Sequence, residues 1–571
     1  MRRPTGIVIV LVGCAFFWMS VALGQGGRGS ADWTTSGNDA QRSSWVRTDP
    51  KISRDSMQKP GFQFLWKLKL DNDPRELSSL SPAVLLDRYI GHRGFRSLAF
   101  VGGSSDNVFA IDTDLGRIEW QNHYSSGSTQ PDGSLACPGG LTANLTRPTS
   151  TALPAADAGR GGGFGGRFSP ARSAVGEPGQ GAVTLAQIGA ARAGAGFPGA
   201  PGPPATPGAP GRVLAGGGGF GRTPTVVYAL TSDGMLQSIY VSNGADAEQP
   251  VKFLPANANA RGLIVVDNVA YCSTTQGCGG VANGIWALDL ASKQVTTWQS
   301  NGGGTSGSAG PAFGPDGTVY LTTGEGEYSP PNYSCSLVAL EPKTLKLKDW
   351  YTAGRVDFTS SPVIFEHKEK ILIAATTRDG RMHLLDSTAL GGADHQTPLY
   401  KTPVYSNSPD FVPGALASWQ DPDGTRWVLA PTVGLVPSDA GFTVNNGNVT
   451  NGAIVAWKVT AQNGAQALQP GWVSRDMLSP LPPMVINGVV FALSSGEFRT
   501  ADSRVTAAQR AQRSSRAVLY ALDAATGKEL WNSGNTITSF VHGGGLSGGA
   551  SQLYVGAYDG TLYAFGFPIQ H

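Results

Sequence analysis

The sequence has few charged residues and few of the residue patterns that mark common kinds of site. Only 15% of its 571 residues are Asp, Glu, Lys or Arg, and the formal net charge is +2. This near-neutrality gives no electrostatic reason to expect nucleic acid as a partner. The seven histidines are scattered without metal-ligand spacing, and no Cys-x-x-Cys-His unit occurs, which excludes covalent haem c. A small-molecule ligand or a protein partner remains open.

Glycine and proline are abundant, at 78 and 38 residues. With so little charge, this composition is typical of many short strands joined by tight turns. It argues against a series of α/β units and favours an all-β chain.

The N-terminus has the pattern of a secretory signal peptide. Arg2 and Arg3 precede an apolar run at 6–21, which is followed by the small-residue site Ala22-Leu23-Gly24. Residues 1–24 are therefore predicted to be removed, leaving a periplasmic or secreted protein without a transmembrane span. The run is shorter than the roughly 20 residues that a bilayer requires. A lipoprotein signal with a lipidated Cys14 is the alternative.

Four cysteines follow the predicted cleavage site. Cys272 and Cys278 are close in sequence, and their spacing suits a disulfide that staples a loop in an oxidising compartment. The sequence therefore predicts a Cys272–Cys278 disulfide. Paired Cys-x-x-Cys units and nearby histidines, which a structural zinc site normally needs, do not occur.

The strongest signal is an internal repeat. An alternating apolar strand ends in an acidic residue, continues through a turn, and reaches a tryptophan eight or nine positions after that acidic residue. Such a unit is a β-hairpin whose tryptophan packs between neighbouring sheets. The four clear copies are 518–531, 108–120, 285–298 and 337–350. Weaker copies fill the gaps between them.

The two ends of the chain complete one another. The C-terminal hairpin at 553–565 has no tryptophan strand after it, and an unpaired strand occurs at 62–66. Joining them gives an eighth unit and removes the exposed sheet edges. We therefore expect residues 25–571 to form an eight-bladed β-propeller of four-stranded antiparallel blades, closed by its N- and C-terminal strands. A Gly/Pro/Ala-rich stretch at about 154–222 is predicted to be a disordered insertion within one blade.

The phrase at 520–531, Tyr-Ala-Leu-Asp-Ala-Ala-Thr-Gly-Lys-Glu-Leu-Trp, resembles the repeat of pyrroloquinoline quinone (PQQ) dehydrogenases, and the segment from Trp33 to Arg42 resembles the one that precedes their first blade. The resemblance implies PQQ and calcium as cofactors. It implies Glu325, in Thr-Thr-Gly-Glu, as a calcium ligand. It also implies Asp357, before Ser-Pro, as the catalytic base, and Arg378, before the Asp-Gly turn, as the residue that contacts the quinone.

The sequence departs from this family at two places. Cys278 lies where the family's calcium-binding glutamate should be, and no two cysteines are adjacent to form the disulfide that often covers the quinone. Two functions are therefore expected: a quinoprotein oxidoreductase acting on an alcohol or similar small molecule at the central channel, or a non-catalytic scaffold or binding propeller of the cell envelope. In the second case, Asp357 and Arg378 would be a structural ion pair.

A Gly-rich stretch near the C-terminus imitates hydrolase motifs. His542-Gly-Gly-Gly matches an oxyanion-hole motif and overlaps Gly545-Leu-Ser-Gly-Gly, a nucleophile-elbow pattern. In α/β-hydrolases these motifs lie on separate loops, and the serine lies between a strand and a helix. The overlap within one strand of an all-β chain argues against a hydrolase.

Overall fold

A computed structural model describes residues 32–91, 94–124, 133–153, 225–324, 326, 328–462, 464–543 and 545–568. The predicted signal peptide and the predicted insertion at about 154–222 lie outside these residues. No helix within the described ranges is long and apolar enough to cross a membrane.

The described strands form eight small sheets, which are the blades of the predicted β-propeller. Before the first blade lie β1 (Trp45–Val46), the helix α1 (Arg54–Met57) and β2 (Gln63–Lys69). Blade 1 contains β3 (Val84–Gly91), β4 (Gly94–Gly103), β5 (Asn107–Asp112) and β6 (Arg117–His123). Blade 2 follows β7 (Pro148–Thr149) and contains β8 (Val226–Leu230), β9 (Met235–Tyr240) and β10 (Asp246–Lys252).

Blades 3 to 5 each have four strands in chain order. Blade 3 contains β11 (Asn259–Val266), β12 (Val269–Thr275), β13 (Gly284–Asp289) and β14 (Val295–Gln299). Blade 4 contains β15 (Ala312–Phe313), β16 (Val319–Thr322), β17 (Ser336–Leu340) and β18 (Leu347–Thr352). Blade 5 contains β19 (Val363–His367), β20 (Lys370–Thr377), β21 (Arg381–Asp386) and β22 (Tyr400–Lys401).

The last three blades contain the remaining strands and the second helix. Blade 6 contains β23 (Ala417–Gln420), β24 (Arg426–Pro431), β25 (Val444–Asn445), β26 (Ile454–Gln462) and β27 (Ala465–Val473). Blade 7 contains β28 (Met484–Ile486), β29 (Val489–Ser494), β30 (Val518–Asp523) and β31 (Glu529–Asn532), with α2 (Ala507–Arg513) between its second and third strands. Blade 8 contains β32 (Ser547–Gly549), β33 (Gln552–Gly556) and β34 (Thr561–Gly566). Short 3-10 helices occupy Cys278–Gly280, Gly392–Asp394 and Ser438–Ala440.

The repeated tryptophan joins neighbouring blades. In blade 6, the indole Nε1 of Trp472 donates to the carbonyl of Ala524 in blade 7, at 2.9 Å. The ring packs directly on Gly527, whose φ of +72° closes the hairpin turn, so a side chain at that position has no room. Trp120 makes the same contacts with Val241 and Gly244. The spacing of the repeat therefore reflects blade-to-blade packing.

The ring closes as the sequence predicts. β2 pairs antiparallel with β34, from Gln63 opposite Gly566 to Lys69 opposite Thr561, and becomes the outermost strand of blade 8. Trp66 then packs on Gly116 of blade 1 and donates to the carbonyl of Thr113 at 2.8 Å. The described sheets also depart from a uniform set of four strands. β1, β7 and β25 each add a short parallel pair to the edge of a sheet.

Residues 33–46, which we call the channel segment, cross the central channel. The segment hydrogen-bonds in chain order to the inner strands of blades 1, 4, 5, 6 and 7 and to Arg147 beside β7. Carbonyls of Trp33, Thr34, Ala40, Gln41, Ser43 and Ser44 accept from the backbone N–H groups of Leu85, Arg147, Phe313, Ile364, Ser418 and Val485, over 2.8 to 3.0 Å. Arg42, 1% exposed, donates to the carbonyls of Ser36, Gly262 and Pro311. The segment thereby closes the channel between the two faces of the ring.

The predicted Cys272–Cys278 disulfide is wrong. Cys278 is bonded to Cys137, 141 residues away, with a Cα–Cα distance of 5.5 Å. Cys272 is in the middle of β12, where its side chain is fully buried in the core of blade 3. Cys278 lies beyond the end of that strand, in the 3-10 helix, beside the loop that carries Cys137. Spacing in sequence could not reveal that the two side chains point to different surroundings.

Candidate functional site

A cavity of about 510 Å³ lies in the central channel, on one side of the channel segment. Ser36, Gly37 and Ser44 of that segment line it, together with the loops that lead into the inner strands of the blades. Pockets of several hundred Å³ are the usual size of small-molecule sites. The channel cavity is therefore large enough to take a metabolite-sized ligand.

The cavity carries more positive than negative charge. Four guanidinium groups line it, from Arg261, Arg378, Arg499 and Arg510, against the two carboxylates of Asp410 and Glu497. Guanidinium groups bind carboxylate and phosphate oxygens in a planar, bidentate manner. An excess of them in a concave site favours an anionic ligand.

Arg261 is the cation that lacks a protein partner. It lies on β11, at a bulge where Gly262 (φ +65°) approaches the backbone of Ala309 and Gly310. Its side chain makes no hydrogen bond or ion pair within the described ranges, and burial lowers its pKa without an acidic neighbour to oppose that effect. By accessible surface the residue is half-buried, so this unpaired guanidinium is available to the carboxylate or phosphate oxygens of a ligand.

Glu497 lies at the centre of a charged cluster in the cavity wall. Its side chain is 1% exposed; one oxygen accepts from Nε of Arg499 at 3.1 Å, and the other is 2.9 Å from Nδ1 of His542. Burial alone would raise the pKa of this carboxyl. The two basic neighbours outweigh burial and hold the pKa at about 2. Glu497 is therefore ionised at neutral pH.

Arg510 comes from an insertion between β29 and β30. It lies on α2, which begins at a capping box formed by Thr506 and Gln509. The guanidinium donates to the carbonyl of Thr500 at 2.9 Å and more weakly to that of Val505 at 3.4 Å. These backbone contacts hold the group at the cavity while leaving its charge without a carboxylate partner among the described residues.

Of the three residues that the resemblance implies, two come together. Nε of Arg378 lies 3.1 Å from Oδ2 of Asp357, and the backbone N–H of Arg378 donates to the carbonyl of Asp357 at 2.8 Å. Arg378 lines the channel cavity. The other oxygen of Asp357 is 3.4 Å from the thiol of Cys335. Glu325 lies outside the described residues, so its role stays a prediction.

Calcium does not fit the described part of the site. Asp357 and Glu497 each have both oxygens engaged, and each pairs with a guanidinium. No group of three or more His, Cys, Asp or Glu side chains in the described ranges could hold a metal ion. The described residues that line the cavity include no Phe, Tyr or Trp ring on which a flat quinone could stack. The arginines of the cavity do suit the carboxylates of a quinone such as PQQ.

Sequence reasoning missed Glu497, Arg499, Arg510 and His542. The first three lie in a stretch of blade 7 that interrupts the hairpin repeat, and His542 belongs to the Gly-rich segment that imitates a hydrolase motif. The sequence does contain a signal that points to this stretch of blade 7. The interval between β29 and β30 is unusually long, is rich in arginine, and contains a capping-box pattern before α2.

No protein-family model matches the chain, and no curated protein matches it in sequence. Solved structures do resemble it. The quinohemoprotein alcohol dehydrogenase of Comamonas testosteroni aligns over 95% of this chain and 81% of its own, with a TM-score of 0.52 and 15% identity. A europium-containing methanol dehydrogenase aligns over 94% of this chain and 98% of its own, with a TM-score of 0.50 and 11% identity. The quinohemoprotein alcohol dehydrogenase ADHIIG of Pseudomonas putida covers 95% and 81%, with a TM-score of 0.51 and 12% identity.

These likenesses confirm the PQQ-type propeller as the fold of the chain. A structural similarity at 11 to 15% sequence identity establishes the fold alone. Function rests on the cavity itself.

Proposed function

We propose that this protein binds a small organic anion, one that carries a carboxylate, in the central channel cavity. The observation that carries the proposal is Arg261, a guanidinium that faces the cavity without a partner in the described chain. A carboxylate would satisfy its fork of donors in a bidentate manner.

The shape of the site supports an organic anion. Aliphatic side chains and prolines line the cavity together with the arginines, among them Leu135, Pro138 and Leu141 from the loop that the disulfide holds. Such a site offers an apolar surface to the carbon body of a ligand and cations to its acidic group. An inorganic ion would leave the apolar surface unused.

The compartment in which the protein would bind its ligand is inferred from the predicted export. The Cys137–Cys278 disulfide supports an oxidising compartment, such as the periplasm or the outside of the cell. We propose that residues 1–24 direct the chain there.

A PQQ-dependent oxidoreductase is the second candidate, because Arg378 lines the cavity beside Asp357. PQQ is itself a carboxylate and belongs in the same binding test. If it binds more tightly with calcium than without, and Asp357→Ala abolishes alcohol oxidation while PQQ stays bound, this second candidate replaces the first.

The test is isothermal titration of the mature protein with malate, citrate, pyruvate, glucuronate, galacturonate and PQQ. We expect one-to-one binding of at least one carboxylate, weakened about tenfold or more in Arg261→Ala, since a charge-assisted hydrogen bond contributes roughly 1.5 to 3 kcal/mol. Arg504→Ala is the matched control, because Arg504 is 88% exposed and pairs with Asp502. Absence of binding, or equal loss in both variants, contradicts the proposal.

A further inference from the structure

The Glu497–His542 pair is arranged to transfer a proton. A carboxylate can only accept, so the hydrogen shared between them belongs to Nδ1 of His542. In the neutral imidazole Nε2 is then the nitrogen that carries the lone pair, and it has no hydrogen-bond partner among the described residues. His542 lines the cavity and is one-third exposed. A carboxylate that orients a histidine in this way is the usual arrangement of a general base.

Positive charge lines the same cavity as this base. Thr500, whose carbonyl accepts from Arg510, follows Arg499, which contacts Glu497. His542, Glu497 and Arg510 all line the cavity. Arginines in the cavity favour a ligand whose acid group gains negative charge during a reaction.

We propose that His542 is the catalytic base of an active site in this cavity, where it accepts a proton from the carbon next to the carboxylate of the bound anion. This inference rests on the proposed function. The C–H bond breaks and its proton goes to Nε2. The electron pair moves into the bond between that carbon and the acid or keto group, whose oxygens are held by guanidinium groups. Return of a proton to the carbon completes an exchange cycle that consumes no oxidant, reductant or co-reactant.

The same contacts also have a structural consequence. Glu497 joins Arg499, in the insertion of blade 7, to His542, in the loop before blade 8. If attachment of the insertion were their whole role, loss of His542 would change stability and leave the chemistry of a bound ligand unaffected. Glu497 acts through His542, so its role in the reaction is that of a positioning residue.

The experiment follows deuterium exchange. Each carboxylate that binds in the titration above is incubated with the mature protein in D2O, and loss of the proton signal at the carbon next to the acid or keto group is followed by NMR. We expect exchange faster than in buffer, and slower by about a hundredfold or more in His542→Asn, the range that a general base contributes. Glu497→Gln should slow exchange while binding of the carboxylate persists.

His123→Asn is the matched control, since His123 is exposed on β6 and its side chain hydrogen-bonds only to Asn107 among the described residues. Its exchange rate should equal that of the wild type. Binding without enhanced exchange, or equal exchange in His542→Asn and the wild type, overturns the inference and leaves the proposed function standing. Failure of every carboxylate to bind overturns the proposed function itself. Thermal unfolding of each variant shows that the comparison is made between folded proteins.

Discussion

Glu497→Gln should destabilise the propeller by about 3 kcal/mol at pH 7. The pKa of Glu497 is lowered from 4.5 to about 2 by Arg499 and His542, which together outweigh the effect of burial. That difference corresponds to about 3 kcal/mol of folding free energy, and the 1% exposure of the side chain means that solvent screens little of it. Glutamine resembles the protonated acid, so the substitution removes this contribution.

The contribution of Glu497 to the free energy of unfolding depends on pH. A carboxyl whose pKa is depressed on folding contributes its full stability above pH 4.5 and loses it as the pH falls through about 2. The difference between the wild type and Glu497→Gln should therefore shrink to roughly half its neutral value at pH 3. Urea unfolding at pH 7 and pH 3 measures both values.

Glu529→Gln is the control for this experiment, because Glu529 pairs with Arg475 but remains 29% exposed. Such a surface pair contributes about 0 to 1 kcal/mol. A Glu497→Gln effect no larger than that of Glu529→Gln, or a difference that grows at low pH, would refute the reasoning.

Three further predictions concern the fold. Replacing Cys137 and Cys278 by Ser should cost up to about 5 kcal/mol in urea unfolding, because the disulfide closes a loop of 141 residues; a non-reducing digest that joins Cys272 to another cysteine would contradict the assigned pairing. Arg42→Met leaves buried carbonyls of the channel segment unpaired and should cost about 3 to 5 kcal/mol; a change below 1 kcal/mol would show that the segment does not brace the ring. Deleting the last fifteen residues removes β34, the strand that pairs with β2, so cooperative thermal unfolding should be lost. An unchanged unfolding transition would speak against closure of the ring by this strand pair.

The sequence predicts the fold because the repeat and the packing have the same physical origin. In three units the tryptophan packs on a glycine turn of the next blade, as Trp472 does on Gly527, so the spacing of the repeat reveals the blades. The unpaired strands at the two ends predict the β2–β34 pairing by the same logic. The short parallel pairs of β1, β7 and β25 have no such signature, because two residues are too few to show periodicity.

The site is less predictable because it lies in segments that break the repeat. Asp357 and Arg378 form an ion pair, and the roles that the resemblance implies for them stay predictions. Glu497 and His542, 45 residues apart, meet only through the ring geometry of blades 7 and 8. Arg261 lies at a bulge of β11, and nothing in the sequence around it separates it from other polar strand residues. Its missing partner becomes visible only in three dimensions.

The most direct test of the central claim is the position of a bound anion in a crystal. A bromine-substituted analogue of the tightest-binding carboxylate can be located by its anomalous scattering. We predict that it lies in the channel cavity with its carboxylate within hydrogen-bond distance, about 3 Å, of the guanidinium of Arg261. Bromine found only on another surface of the ring, with the channel cavity filled by water, would contradict the account.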